Sequence, residues 1–272
     1  MKNYSLRLGK SLSCYSDDFF TNLQKAKDLG FDTIDFDTTQ YWLYKGTDED
    51  RLNQLNKAID AVLNLGMPVN GVHIPYGVDW DLSELNQTKN AENFNNVLSV
   101  INSTSRLSPY CYVLHGSFEP VDTIYREDKL KVLVSTVKKL SALTDKIIAL
   151  EILPRTCLLN TSKEIVKVVD KISMSNVKVC VDVNHFLQEK SEDGVLYIGN
   201  RIVTTHISDH DYENERHWMP GKGKIDWLKL IANLEKLGYN GVFNYELEVS
   251  LEEVKNNFIT LFNNYNKLKY SI

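Results

Sequence analysis

Two hydrophobic patterns alternate along this chain. Short unbroken runs of Val, Ile, Leu, Phe and Cys are separated by longer stretches in which apolar residues return every three or four positions. The first pattern belongs to strands covered on both faces, the second to amphipathic helices. The runs predict strands at 5–12, 31–36, 69–74, 110–114, 147–153, 202–207 and 241–247. A further strand is V-K-V-C-V-D-V-N-H-F, 177–186, which delivers Asp182 and then His185 where it ends. Between them, periodicity predicts helices from about Asp17 to Leu29, 90–104, 126–143, 162–172 and 251–268, and a short helical segment near 195–199. Asp48 is the expected N-cap of a helix with Leu52, Leu55, Ile59 and Val62 on one face. Asp226 is the expected cap of another, which carries Trp227, Leu230, Leu234 and Leu237.

Three of these units share a local signature, a helix ending in Leu-Gly followed at once by a strand: L-G-F-D-T-I-D-F, L-G-M-P-V-N-G-V-H-I and L-G-Y-N-G-V-F-N-Y. Glycine after the last helical turn adopts the left-handed conformation that redirects the chain. Strands alternating with helices imply a parallel sheet with right-handed crossovers, and eight such units in this length predict a single (β/α)8 TIM barrel. A doubly wound open sheet is the alternative, but no G-x-G-x-x-G follows the first strand. No linker interrupts the series, so residues 1–272 are expected to form one domain.

Composition adds bounds rather than detail. With 43% hydrophobic and 25% charged residues, the chain has an ordinary globular balance. The net charge of −5 and a pI near 5.7 give no global bias toward phosphate backbones, so nucleic acid is not the expected partner. Neither a signal-like N-terminal run nor a membrane-spanning run occurs. Cys14, Cys111, Cys157 and Cys180 form no C-x-x-C pair, and they are expected to be packing residues in a reducing cytoplasm.

The chemistry lies at the strand ends. The third strand ends at His73, the fourth at His115, the fifth at Glu151, the sixth at Asp182, the seventh at His206 and the eighth at Glu246, with His185 and His217 in loops just beyond. In a barrel every strand C-terminus opens onto one face, so these residues converge. Any one of them alone is better explained as a hydrogen-bonded rim residue. Six of eight strands ending in a ligand-type side chain point instead to a metal site, and oxygen with imidazole donors suits Mn, Mg, Co or Zn. Glu248 shares a face with Glu246 by the period-two rule, but Glu246 lies deeper. Asp35 and Asp37 are expected at a solvated rim, and Asp209, His210 and Asp211 in a solvated loop.

The motifs, taken in order, resemble those of the xylose isomerase-like TIM-barrel superfamily of sugar isomerases and epimerases, which also includes endonuclease IV. H-I-P-Y-G-V-D-W-D-L-S resembles the H-x-P loop of its sugar-processing members. E-I-L-P-R is similar to the E-x-x-x-R of the ketose 3-epimerases, D-V-N-H to their D-x-x-H, T-H-I-S-D to their H-x-x-D, and P-G-K-G-K-I-D-W to their P-G-x-G-x-I-D-W. The resemblance covers essentially the whole chain. It implies one divalent metal ion (Mn, Mg, Co or Zn) held by Glu151, Asp182, His206 and Glu246. His73, His115, Arg155, His185 and His217 would then face a small sugar or sugar phosphate. His217 departs from the arginine common at that position.

The activity implied is isomerisation or epimerisation. A divalent ion bridging two substrate oxygens would stabilise an enediolate, while Glu151 and Glu246 remove and return the proton. Dehydration of a cyclitol or keto substrate is the neighbouring reaction, since the same enediolate can expel a beta hydroxyl. A homo-oligomer is compatible with all of this. The rival is an endonuclease IV-like zinc phosphodiesterase acting on abasic DNA, whose three-zinc ligand set resembles His73, His115, Glu151, Asp182, His185, His206, His217 and Glu246. E-R-H at 215–217 resembles its D-R-H, with Glu215 as the departure, and the loop I-P-Y-G-V-D-W-D is too acidic for a DNA-facing surface. A sugar-binding barrel without turnover is the third alternative. Tyr41, Trp42, Tyr76, Trp80, Phe118 and Trp218 are candidates for the pocket wall.

Overall fold

In the computed structural model, which describes residues 6–41 and 46–270, every predicted strand and helix is present, with shifted ends. The strands are β1 (Arg7–Ser13), β2 (Thr33–Asp37), β3 (Val69–His73), β4 (Cys111–Leu114), β5 (Ile147–Glu151), β6 (Val177–Asp182), β7 (Ile202–Ile207) and β8 (Val242–Tyr245). The helices are α1 (Phe19–Leu29), α2 (Asp48–Leu65), α3 (Gln87–Thr104), α4 (Arg126–Ser141), α5 (Ser162–Ile172), α6 (Ser191–Ile198), α7 (Trp227–Lys236) and α8 (Leu251–Tyr270). All strand pairs are parallel and run in sequence order, and β8 pairs with β1 to close the barrel. Of the wall candidates, Trp42 lies outside the described residues.

Local chemistry accounts for the ends. α2 starts one residue earlier than expected, because Thr47, not Asp48, is its N-cap: the Thr47 hydroxyl accepts from the Asp50 N–H and the Asp50 carboxylate accepts from the Thr47 N–H. Asp226 caps α7 as its sequence indicates, accepting from the Lys229 N–H. Gly30, Gly66 and Gly238, the three Leu-Gly glycines, all have left-handed φ angles of 76°, 62° and 69°. The β6 stretch ends sooner than expected, at Asp182, and a 3-10 turn (Val183–His185) follows.

The helices hold the barrel by burying one face each. α5 buries Ile165, Val168, Val169 and Ile172, a spacing of three, one and three that forms a single stripe. Each such side chain contributes about 1.5–3 kcal/mol relative to exposure. Inside the barrel, Cys111, Val113, Ala149 and Cys180 pack into a small apolar plug below the strand ends. All four cysteines are free and buried. Among the described residues, no helix is long and apolar enough to cross a membrane.

Two pairings slip by one residue. Between β2 and β3, Ile34 faces Val69 but Asp35 faces Gly71, so Asn70 is left over. Between β6 and β7, Val179 faces Ile202 but Cys180 faces Thr204, which leaves Val203 over and brings Asp182 opposite His206. Bulges of this kind re-aim side chains near functional sites.

Candidate metal centre

Side chains two apart on a strand share a face, so each interior column can be followed upward from the plug. Ala149 leads to Glu151, Cys180 to Asp182, Thr204 to His206 and Asn244 to Glu246. These four column tops meet: ligand-type atoms of Glu151, Asp182, His206 and Glu246 all lie within 4.8 Å of one another. Nδ1 of His206 is 2.9 Å from Oε1 of Glu151 and 2.8 Å from Oε2 of Glu246. Glu246 sits one residue beyond β8 and is partly exposed, whereas Glu248 is exposed.

A second group shares Glu151. Nε2 of His73 and Nε2 of His115 each lie 3.1 Å from its Oε2, and the two imidazoles meet edge to face. Despite these neighbours, Oε2 of Glu151 and Oδ2 of Asp182 are buried without a well-directed hydrogen bond. Buried carboxylate oxygens lacking donors beside imidazole nitrogens are the expected shape of a cation site. The donor set, carboxylates and imidazoles with no thiolate in the four-residue group, suits a divalent first-row ion or Mg.

Charge is balanced within the group. Burial would push the Glu151 and Glu246 carboxyls up, but His206 and His73 outweigh it; Glu151 is held well below the usual carboxylate range and Glu246 at about 2. Burial alone would lower His73, yet the Glu151 carboxylate holds it at about 9. Asp182 goes the other way: burial dominates and raises it to about 6, against the partial compensation of His185.

The loop residues form a second layer. His185 approaches Asp182 (3.4 Å) and Glu215 (3.2 Å), while its Nδ1 faces the Ile152 carbonyl at 2.7 Å. Arg155 does not reach the four-residue group. Its Nε lies 2.9 Å from both oxygens of Glu119 and its Nη1 2.6 Å from Glu215, so it connects to His185 through Glu215. His217, with a φ of 47°, lies with Nδ1 3.3 Å from the Glu246 carbonyl and is exposed. Of the aromatic candidates, Tyr76 stacks on His115 at 4.6 Å and Trp80 donates to the Tyr41 hydroxyl at 3.3 Å. Arg216 lies over exposed Trp218.

Two expectations from sequence fail here. Asp35 and Asp37 are not at a solvated rim: both are buried, Asp35 completely, and Asp35 meets Nε2 of His206 at 3.2 Å. The missed signal was the alternation T-I-D-F-D, in which Ile34 and Phe36 claim the helix-facing side and leave Thr33, Asp35 and Asp37 inside. Asp209 and His210 are likewise fully buried rather than in a solvated loop. Asp209 accepts hydrogen bonds from the backbone N–H groups of His210, Gly221, Gly223 and Ile225 and from the Trp227 indole, and so folds the P-G-K-G-K-I-D-W segment around itself. A backbone bridge between Asp209 and Trp218 closes the loop that carries Glu215 and His217.

The match to a family model decides the affiliation: residues 23–258 fit the xylose isomerase-like TIM barrel. The chain belongs to that family. Within the xylose isomerase-like TIM barrels, it is 28% identical over 135 residues to a D-psicose 3-epimerase of Enterocloster bolteae, covering 46% of this chain and 43% of the epimerase. It is 30% identical over 134 residues to a D-psicose 3-epimerase of Ruminiclostridium cellulolyticum, covering 46% and 44%. Each match thus spans less than half of the epimerase. Among solved structures, a D-tagatose 3-epimerase-like protein superposes with a TM-score of 0.79 at 18% identity, over 97% of this chain and 98% of the other. The IolI protein with a zinc atom gives 0.77 at 17% identity, over 96% and 99%. At these identities the likeness establishes the barrel fold.

Proposed function

We propose that this protein is a divalent-metal-dependent sugar isomerase or epimerase that moves a proton on a carbon next to a carbonyl. One observation carries the proposal: Glu151 and Glu246, from different strands, both contact Nδ1 of the same buried histidine, His206, in a group that Asp182 completes. Glu151, Asp182, His206 and Glu246 are the proposed metal ligands. The bound ion (Mn, Mg, Co or Zn) would supply Lewis acidity toward two adjacent substrate oxygens, stabilising the negative charge that develops as the proton leaves.

The chain's own residues would do the rest. Glu246, at the open end of the group, is the proposed base that takes the proton, and Glu151 is the second carboxylate of the pair, on the opposite face of the substrate. His73, His115, His185 and His217 would hold substrate hydroxyls, and Tyr76 on His115 would form part of the pocket wall. Arg155 is already engaged by two carboxylates, Glu119 and Glu215. Its charge is compensated, which favours a free sugar over a sugar phosphate. The 3-epimerases matched in sequence suggest a ketose as the first substrate to test.

The test is elemental analysis of chelator-free protein followed by incubation with ketoses in heavy water. About one divalent ion per chain, with deuterium appearing beside the carbonyl, is the expected result. A protein that binds the ion but exchanges no proton in any ketose or ketose phosphate would remove the isomerase activity.

A second activity is favoured by the His73–His115–Glu151 group and by the approach of Glu215 to His185, which together resemble a site for several ions. An endonuclease IV-like phosphodiesterase would require close to three zinc ions per chain and cleavage of abasic DNA. The same metal analysis separates the two.

A further inference from the structure

Asp35 stands apart from the proposed ligands, yet it is one of the most enclosed carboxylates in the described chain, with no solvent exposure. Its two oxygens have different partners. Oδ1 accepts from Nδ2 of Asn70 at 2.8 Å and from the Gly71 N–H at 2.9 Å. Oδ2 faces Nε2 of His206 at 3.2 Å.

The backbone is shaped for this contact. The slipped register between β2 and β3 sets Gly71 opposite Asp35 and frees Asn70, whose amide also donates to the Thr204 hydroxyl at 2.9 Å. A Cβ at position 71 would come within 3.0–3.1 Å of the Asp35 carboxylate, so glycine is the residue that leaves it room.

We propose that Asp35 is a positioning residue that fixes the hydrogen of His206 on Nε2 and so keeps the Nδ1 lone pair for the cation. The proposal rests on His206 being a ligand, as in the proposed function. Oδ1 already accepts two hydrogens, so the carboxylate is set as an acceptor and the nitrogen beside Oδ2 carries the hydrogen. With the ring hydrogen held on Nε2, a cation can displace the hydrogen from Nδ1, the nitrogen facing Glu151 and Glu246, and take its lone pair; in the metal-free chain those two carboxylates favour a hydrogen on Nδ1 as well. Both residues are fully buried, so water does not substitute for Asp35. Outer partners of this kind typically change metal affinity by about 10–100-fold.

The distinguishing variant is Asp35→Asn, which keeps the shape and reverses the hydrogen bond. The Gly71 N–H is backbone and cannot turn away, so the amide oxygen must stay on its side. The amide NH2 then points at Nε2 of His206, which must accept, and the ring hydrogen moves to Nδ1. Asp35→Ala leaves the ring free to choose. Stability and metal affinity are therefore expected to rank in opposite orders, with the Asn variant the more stable and the weaker binder.

The experiment uses the full chain labelled with nitrogen-15 histidine, the His206 signals being identified by their loss in His206→Gln. In the zinc-loaded wild type, Nε2 of His206 is expected to carry the ring hydrogen and Nδ1 none; in metal-stripped protein, Nε2 is expected to carry a hydrogen in wild type and to lose it in Asp35→Asn. Zinc affinity by chelator competition should fall about 10–100-fold in Asp35→Asn and less in Asp35→Ala. A wild-type spectrum with Nε2 bare overturns the proposal without any variant, as does an Asn variant that binds zinc as tightly as wild type. Wild-type protein that takes up no divalent ion would overturn the metal site itself, while the spectrum of the stripped chain still decides whether Asp35 fixes the hydrogen.

Discussion

Nδ1 of His206 lies 2.8 Å from Oε2 of Glu246, one residue past β8, and Glu246 is the partly exposed member of an otherwise enclosed group. That position makes Glu246 the group member most open to substrate. Glu246→Gln removes the base without changing the size of the side chain, and a loss of about 10²–10⁴ in turnover is expected. Circular dichroism should be unchanged. A purified variant that still turns over at the wild-type rate would take Glu246 out of the proton transfer.

The orphaned oxygens of Glu151 and Asp182 predict a stabilising cation. Metal-stripped protein should melt at a lower temperature and recover when a divalent ion is added. At 100 times the dissociation constant the gain is about 2.7 kcal/mol. Glu151→Ala should abolish the gain, because Glu151 belongs to the four-residue group and to the group it shares with His73 and His115. Scanning calorimetry with and without zinc or manganese checks this, and a melting temperature indifferent to metal would argue against the site.

Asp209 and Gly223 make a structural prediction independent of metal. A Cβ at position 223 would collide with the Asp209 carboxylate and with the His210 carbonyl, and backbone cannot yield cheaply. Gly223→Ala should cost about 1–3 kcal/mol, as overpacking usually does. The readout is a lower urea midpoint with an unchanged slope. An unaltered midpoint would show that the 220s segment adapts without using Asp209 as its anchor.

His210 predicts a pH dependence. Burial lowers its pKa from 6.5 to about 4, against the opposing pull of Asp209 and Asp211. The folded protein therefore holds it neutral. Its contribution to stability is complete above about pH 6.5 and is lost as the pH falls toward 4, because the unfolded chain takes up the proton first. Melting temperatures of wild type and His210→Asn should converge as the pH is lowered through this window. A constant difference between them would assign the loss to other groups.

Much of this molecule could be read before its structure. The eight alternating runs, the three Leu-Gly turns and the absence of a dinucleotide fingerprint led to the barrel, and the helix edges moved mostly by local capping, as at Thr47. The strand-end positions of Glu151, Asp182, His206 and Glu246 needed only the rule that a parallel barrel gathers its strand ends on one face. The preference for Glu246 over Glu248 follows from depth along the strand; in the structure Glu246 is partly buried and Glu248 exposed.

What the sequence determined by itself was therefore the periodic part: which segments are strands, which are helices, and which residues sit at the strand tips. Tertiary structure decided which partner an inward-facing acid meets and whether water reaches it. Asp35 and Asp209 look like ordinary polar residues in the sequence. They are buried because a one-residue slip at Asn70 and a returning loop at Gly221–Ile225 bring donors to them from distant parts of the chain. Periodicity is a property of neighbouring residues, whereas register and loop return depend on how whole strands and segments pack.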